Sequence, residues 1–349
     1  MFRIDCSKAS SLEKKYFTLL RKEFVANNAL QTVAFVEQRW RLAGNAGFNE
    51  SIYYVEKILQ SAGFVKETTG ETDAVLTYRI EKRPMQRSTW EPVNAQLYIV
   101  GEDKPLLEFK TNRNMLAINS GSTPAGGVTA ELVDIEKAGN KDLEGKDLTG
   151  KIILADGGIG SAHTKAMKKG ALGALSYSLP AYAQPQKHVN SIQFQGIGYE
   201  TDPTKRKWGI LLSYAARTKL KAALAKGPVQ LRVVTETNIY ASEELTIVAN
   251  VRGAAKPEER FVFSAHVQEP GANDNATGVG TLAEMARVTA QLVKAKKIGP
   301  QRTITFLWGD EIVSTNRYIK DDSLRARGIK WGLSLDMVGE DVQKTGVVS

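Results

Sequence analysis

Apolar residues recur along this chain with two different periods, and the change of period outlines its elements. Over residues 12–64 they recur every three or four positions, a spacing that predicts two amphipathic helices. The second helix is expected to begin after Asn49, a suitable N-cap, and to end at Gly63. The pattern then changes to short β-type runs bounded by proline and glycine, which predict strands at 74–78 and 96–100.

Two breaks in the pattern mark off the middle of the chain. A cluster of small and turn-forming residues occupies 120–127, and a comparable change lies near 236–244. We therefore expect an inserted domain over 120–235, with the flanking segments 1–119 and 236–349 forming one domain together.

The last third of the chain alternates between strand and helix patterns. Strands are expected at 245–251, 261–265, 303–308 and 333–335, with a helix at 277–294 between the second and the third. This alternation predicts an α/β fold, with a mixed, largely parallel sheet flanked by helices. Ligands of such sheets gather beyond the carboxyl ends of the strands.

The composition is that of an ordinary globular protein, and it excludes several classes of protein. Of the 349 residues 42% are hydrophobic and 24% are charged. No apolar run approaches the roughly 18 residues that span a bilayer, and no signal peptide is visible at the start, so an integral membrane protein is not expected. Cys6 is the only cysteine, which excludes an internal disulfide and a cysteine-based metal site.

The net charge of +9 raises the question of nucleic-acid binding. The basic residues are scattered, however, and no motif interleaves them with aromatic residues. We therefore expect no nucleic-acid partner.

Five polar residues stand at positions that change their interpretation. His266 ends one predicted strand, Asp310 and Glu311 follow the next, Asp336 follows another, and Asp274 lies in a glycine- and asparagine-rich turn before a helix. Alone, each would be an ordinary surface or capping residue. Together, at the functional edge of one sheet, an imidazole and several carboxylates suit zinc or a similar divalent ion.

The sequence blocks around these residues resemble those of a known family. They are Ser-Ala-His at 264–266, Pro-Gly-Ala-Asn-Asp-Asn-Ala-Thr-Gly-Val at 270–279, Phe-Leu-Trp-Gly-Asp-Glu at 306–311 and Leu-Asp-Met-Val-Gly at 335–339. They look like the motifs of the co-catalytic zinc aminopeptidases of peptidase family M28, whose fold is of the zinc-exopeptidase (phosphorylase/hydrolase-like) type. The Gly-Ala-Asn-Asp-Asn block is the most specific of them.

The resemblance implies two zinc ions and a role for each of the five residues. His266 and Asp336 would hold one ion, Asp274 would bridge both, and Glu311 would hold the other together with a later histidine. Asp310 would be the general base that moves a proton from the attacking water to the leaving amine. Because relatives usually have glutamate at this position, the shorter aspartate is expected to lower activity.

Two further residues are expected to support the ligands. The resemblance implies a cis peptide bond between Asp274 and Asn275 that aims the bridging carboxylate at both ions. Gln268 stands where relatives commonly have an aspartate that orients the imidazole of His266, and an amide can still form that hydrogen bond without adding charge.

The histidine count changes what this chain is expected to do. The sequence contains only His163, His188 and His266, and the first two are expected on the surface of the insert. Since the chain ends at Ser349, before the last histidine of the family, we expect an incomplete catalytic unit that binds one ion better than two. We also expect an unfinished apolar sheet edge that favours self-association.

The insert resembles a protease-associated domain. A Gly-Lys-Ile-Ile-Leu strand is expected at 150–154 and a helix at 162–169, followed by a Gly-Ala step into a strand at 170–175. We expect a β-rich domain that supplies no metal ligand and restricts substrates to chain ends.

The function that the resemblance favours is a metal-dependent exopeptidase, specifically an aminopeptidase acting on peptides. The alternatives are a non-catalytic binding relative on the same scaffold, a carboxypeptidase and a glutaminyl cyclase-like enzyme. Retention of four metal ligands favours an enzyme over a binding scaffold. The resemblance implies a secreted or periplasmic protein.

Overall fold

The computed structural model describes residues 11–68, 73–341 and 343, in which helices flank two β-sheets. Cys6 lies outside the described residues. The helices in chain order are α1 (Ser11–Glu23), α2 (Ala26–Glu37), α3 (Ala46–Ala62), α4 (Asn140–Leu143), α5 (Ile159–Met167), α6 (Tyr214–Leu224), α7 (Ala276–Lys294), α8 (Val313–Lys320) and α9 (Ser323–Gly328). The strands are β1 (Val65–Lys66), β2 (Leu76–Pro84), β3 (Thr89–Ile99), β4 (Leu107–Glu108), β5 (Val128–Asp134), β6 (Ile152–Asp156), β7 (Gly173–Tyr177), β8 (Trp208–Leu211), β9 (Gln230–Tyr240), β10 (Glu243–Val251), β11 (Lys256–His266), β12 (Arg302–Gly309) and β13 (Ile329–Ser334).

The chain divides into two compact units. Unit 1 comprises Met1–Thr89 and Ala241–Ser349, and unit 2 comprises Trp90–Tyr240. The insert predicted over 120–235 lies inside unit 2, but so does segment 90–119, which the sequence pattern assigns to the outer domain. The difference arises because β3 lies beside β9 in one sheet, a pairing between distant segments that no local pattern announces.

Three helices occupy the start of unit 1, and the prediction of two is wrong. α1 and α2 are separated at Val25, whose backbone is extended and whose N–H donates to Glu284 Oε1 at 2.7 Å. α3 begins after Asn45 and not after Asn49, because the Asn45 side chain accepts a first-turn backbone N–H at 2.9 Å. Gly63 ends α3 as predicted, in the left-handed conformation.

The six-stranded sheet of unit 1 has the order β1-β2-β10-β12-β11-β13. Strands β11, β12 and β13 run parallel to one another, whereas β10 pairs antiparallel with both β2 and β12. The mixed, helix-flanked α/β sheet that the sequence predicts is confirmed. Its parallel half brings the carboxyl ends of three strands to the same edge.

Both faces of this sheet are covered by helices. Ile247 and Ala249 of β10 belong to the main core, to which α2, α3 and α7 contribute their apolar faces. Val248 points the other way and packs with Tyr318 of α8 in a smaller cluster. This alternation along one strand is the expected result of burying both faces.

Unit 2 contains a seven-stranded sheet with the order β4-β3-β9-β5-β6-β7-β8. Strands β5 to β8 are parallel, and the strands predicted at 150–154 and 170–175 correspond to β6 and β7. At their carboxyl ends, Arg217 of α6 binds both oxygens of Asp156, at 2.8 and 2.6 Å. Lys221, one turn along α6, lies 2.5 Å from Asp134 and 3.3 Å from Asp156.

Within the described ranges, none of the helices combines the length and the apolar character needed to cross a lipid bilayer.

Candidate metal centre

The parallel strands of unit 1 deliver the predicted site residues to one edge of the sheet. His266 is paired in register with Gly309, the residue before Asp310 and Glu311. The Leu335 N–H donates to the Ser264 carbonyl at 2.7 Å and so brings the segment after β13 beside the end of β11. The carboxyl ends of these strands therefore meet, as the sequence pattern predicts.

The predicted ligands Asp274, Glu311 and Asp336 all lie close to His266. His266 Nε2 lies 3.4 Å from Asp274 Oδ1 and 3.3 Å from Asp336 Oδ1. Donor atoms of His266, Glu311 and Asp336 all lie within 4.8 Å of one another. The structure thus brings together the four residues to which the sequence analysis assigns metal binding.

Two of the donor atoms in this group lack hydrogen-bond partners within the protein. His266 is 7% exposed, and neither its Nε2 nor the buried Oδ1 of Asp274 has a hydrogen-bond partner. Among the described residues, no lysine or arginine forms an ion pair with Asp274, Glu311 or Asp336. Buried polar atoms without partners and unneutralised carboxylates are unfavourable, and a divalent cation would satisfy both. One imidazole with carboxylate oxygens is a donor set that suits zinc.

Gln268 supports the centre differently from the sequence expectation. Its backbone carbonyl, and not its side chain, lies 3.1 Å from His266 Nδ1 and leaves Nε2 directed at the carboxylates. The side-chain Oε1 accepts the backbone N–H of Glu311 at 2.6 Å, and Nε2 donates to Glu311 Oε2 at 3.2 Å. This buried amide therefore holds Glu311 in place.

Asn275 ties two loops of the centre together. The peptide bond between Asp274 and Asn275 is cis, as predicted. The Asn275 side-chain Oδ1 accepts the N–H of Gly278 at 3.1 Å and that of Met337 at 3.2 Å, while Nδ2 donates to the Leu335 carbonyl at 2.9 Å. The turn that carries Asp274 is thereby fixed to the turn that carries Asp336.

Asp310 lies beside the centre and belongs to neither group of donor atoms found among the described residues. Burial raises the pKa of its carboxyl to about 7, and the negative charge of Glu244 acts in the same direction. A carboxyl group with such a pKa can both accept and donate a proton near neutral pH.

Glu269 is a site residue that the sequence analysis does not identify. Its carboxyl group forms a second donor group with His266 and Asp274, in which the donor atoms lie within 4.8 Å of one another. Burial, followed by the hydrogen bond and charge of Asp274, raises its pKa to about 8. A positive φ of 85° turns the chain here, and the Glu269 N–H donates to the carbonyl of the buried Arg41 at 2.9 Å.

The other two histidines lie in unit 2, outside this centre. His188 is exposed, as expected, but the expectation of a surface position for His163 is wrong. His163 is 8% exposed on the inner side of α5, among the buried residues of that helix. It shares one face of the helix with Ile159, Ala162 and Ala166, which are also buried.

Comparison with known proteins agrees with this geometry. Residues 246–347 match the family model described as Peptidase family M28. An aminopeptidase of Pseudomonas aeruginosa strain UCBPP-PA14 is 23% identical over 329 residues, which cover 89% of this chain and 56% of that protein. The chain thus spans about half the length of this curated relative.

Solved structures show the same fold. The aminopeptidase from Aneurinibacillus sp. strain AM-1 aligns with a TM-score of 0.57 and 22% identity over 93% of this chain and 73% of its own. The Peptidase M28 precursor from Shewanella amazonensis SB2B aligns with a TM-score of 0.65 and 19% identity over the same shares. The zinc aminopeptidase from Bacillus subtilis aligns with a TM-score of 0.59 and 18% identity over 90% of this chain and 70% of its own.

The family model covers the segment in which all four predicted ligands lie, and the fold of the relatives extends over most of the chain. Over residues 246–347 the chain is therefore similar to peptidase family M28.

Proposed function

We propose that this chain carries the metal centre of an aminopeptidase that hydrolyses N-terminal peptide bonds. The observation that supports the proposal is the convergence of His266, Asp274, Glu311 and Asp336, in which His266 Nε2 and Asp274 Oδ1 have no hydrogen-bond partner. A scaffold used only for binding has no need of such an arrangement.

The centre is proposed to hold two zinc ions unequally. His266, Asp274 and Asp336 would bind the first, and three protein ligands are typical of a catalytic zinc site. Asp274 and Glu311 would bind the second, and Glu269 is the nearest further carboxyl group on the Asp274 side. The first ion should therefore bind more tightly than the second.

Asp310 is proposed as the general base. When bound, the two ions would polarise the scissile carbonyl and lower the pKa of water. Asp310 would take the proton of the attacking water and pass it to the leaving amine, a task that suits its raised pKa. Gln268 would keep Glu311 in position throughout, since it binds both the backbone and the side chain of that residue.

Unit 2 is proposed to be a protease-associated domain. The proposal is supported by the Gly-Lys-Ile sequence that enters β6 and by the glycine- and alanine-rich step into β7. Neither group of donor atoms found in the described ranges includes a residue of this unit.

The activity can be tested with a matched pair of peptides. The zinc-loaded chain should cleave the first residue from a peptide with a free amino terminus and should leave its N-acetylated form intact. Cleavage should stop on chelation and return on addition of zinc. Cleavage of the acetylated peptide from its carboxyl end would instead indicate a carboxypeptidase, and no cleavage of either peptide would contradict the proposal.

Self-association through β13 is also proposed. In the described part of the chain β13 pairs only with β11, and Trp331 and Leu333 on it are 55% and 53% exposed. Strand edges with exposed apolar side chains are association sites. Leu333→Lys should shift the sedimentation profile towards the monomer, whereas Leu324→Lys, at a 76% exposed position on α9, should not. Identical profiles for the unmodified chain and Leu333→Lys would rule this surface out.

A further inference from the structure

The turn that carries Asp310 and Glu311 has an unusual backbone. Ile312 adopts φ 57° and ψ −46°, and the Val313 N–H donates to the Glu311 carbonyl across it. A β-branched residue with positive φ is a rare exception, and three-residue turns of this kind are strained. Such a conformation persists only where its surroundings fix it.

A buried hydroxyl fixes this turn at the start of α8. Ser314 Oγ accepts the backbone N–H of Asp310 at 2.7 Å, and the Ser314 N–H donates to the Asp310 carbonyl at 3.0 Å. The approach is so close that a Cβ atom added to Gly309 would lie 2.2 Å from Ser314 Oγ. Glycine at 309 therefore allows the serine to reach the turn.

Glu244 determines which way this hydroxyl points. Its carboxylate, 2% exposed on β10, accepts the Ser314 hydroxyl at 2.6 Å and is paired with Arg317 of α8. Thr246 Oγ1 lies 3.1 Å from the same carboxylate. Because the single hydroxyl hydrogen of Ser314 is donated to Glu244, its oxygen is left to accept from Asp310.

We propose that Glu244 is a positioning residue for the metal centre and acts on Asp310 and Glu311 through Ser314. The inference rests on the proposed peptidase function. Two neighbouring backbone N–H groups of the turn then each have a side-chain acceptor: that of Asp310 donates to Ser314, and that of Glu311 donates to Gln268. Neither Glu244 nor Ser314 belongs to the two donor groups found among the described residues. Both would therefore act on the metal ligands and not bind an ion themselves.

The test compares two buried glutamates that are each paired with an arginine. Glu244→Gln should lower kcat about 10- to 100-fold with KM changed less than about 2-fold, the effect typical of losing an outer support of a metal ligand. The zinc affinity measured by calorimetry should fall about 10-fold or more, and the visible spectrum of the cobalt-substituted chain should change. Glu284→Gln is the control, because Glu284 is 2% exposed on α7, is paired with Arg287 and lies outside the donor groups.

Ser314→Ala removes only the hydroxyl and should have the same effects as Glu244→Gln. It replaces Glu244→Gln in the test if circular dichroism shows that Glu244→Gln folds poorly. If the unmodified chain binds zinc but Glu244→Gln and Ser314→Ala match Glu284→Gln in kcat, zinc affinity and cobalt spectrum, the role of Glu244 is only structural and the inference is overturned. If the unmodified chain binds no zinc, the proposed function itself is overturned.

Discussion

Parallel strands end in acidic residues in both units, but the surroundings of those residues differ. In unit 2, Asp134 is the last residue of β5 and Asp156 is the last residue of β6. Arg217 and Lys221 of α6 neutralise them. Burial alone would raise the pKa of Asp156, but the hydrogen bonds and positive charges of Arg217 and Lys221 together outweigh it and lower that pKa. In unit 1, the acidic residues after β12 and β13 receive no such cation from the described residues.

The comparison shows that an acidic residue after a buried strand does not by itself indicate a metal site. What distinguishes unit 1 is that His266 Nε2 and the buried Asp274 Oδ1 lie beside these acidic residues without a hydrogen-bond partner, which supports the proposed metal centre.

The difference between the two units can be tested by replacing one carboxylate with an amide in each of them. Asp274→Asn should weaken zinc binding by more than the 10- to 100-fold that loss of an outer support costs, since it removes a ligand. It should not destabilise the zinc-free chain, because it relieves repulsion among carboxylates. Isothermal titration with zinc and urea unfolding measure the two effects.

Asp156→Asn is the matched substitution and should behave in the opposite way. It should leave zinc binding unchanged and destabilise the chain by about 1 kcal/mol, because its ion pair with Arg217 is partly exposed. Equal zinc affinity for Asp274→Asn and Asp156→Asn would contradict the assignment of the centre.

Two glutamine side chains that each accept a backbone N–H, one in each unit, extend the comparison. Gln268→Met removes the acceptor of the Glu311 N–H and should weaken zinc binding about 10- to 100-fold, as expected for an outer support. Gln195 makes the equivalent contact in unit 2, where it accepts the Ile159 N–H at 3.2 Å. Gln195→Met should leave the zinc titration curve unchanged, and a similar loss in both variants would point to general destabilisation.

A pH-dependent effect on stability is predicted for His163, a buried histidine whose Nε2 lacks a hydrogen-bond partner. Burial lowers the pKa of His163 to about 4, and the positive charge of Lys207 acts in the same direction. The pKa of an unfolded histidine is about 6.5, so His163 contributes its full stability above that pH and loses it as the pH falls through about 4. Between pH 7.5 and 5 this amounts to about 2 kcal/mol.

His163→Leu should remove that loss. Urea unfolding of the zinc-free chain at pH 7.5 and pH 5 measures it, with His188→Leu as the exposed control. If the free energy of unfolding fell by the same amount between pH 7.5 and pH 5 in the unmodified chain and in His163→Leu, His163 would not be the cause of the loss.

The sequence predicts those parts of the fold that depend on local pattern. Strands β10, β11 and β12 are recognisable because their apolar runs are bounded by charged or turn-forming residues, and the positions of His266 and Glu311 follow from them. The bounds of α7 differ from the prediction by one residue at its start.

The parts that the sequence does not predict depend on distant contacts. The break between α1 and α2 is stabilised by Glu284, more than 250 residues further along the chain. Glu269 escapes notice because it ends no strand, and only a turn with positive φ, bound to Arg41, directs it towards Asp274. Likewise, β3 joins unit 2 through a strand that begins at Gln230.

The side chain of Asn275 has a consequence for the kinetics of the centre. Its amide group binds backbone atoms of Leu335 and Met337, the residues on either side of Asp336, while Asn275 itself follows Asp274, so the backbone sets the spacing of these carboxylates. The centre is therefore preorganised, and little chain rearrangement should accompany arrival of an ion. Exchange of one divalent metal for another should then be limited by release of the ion and not by refolding of the loops.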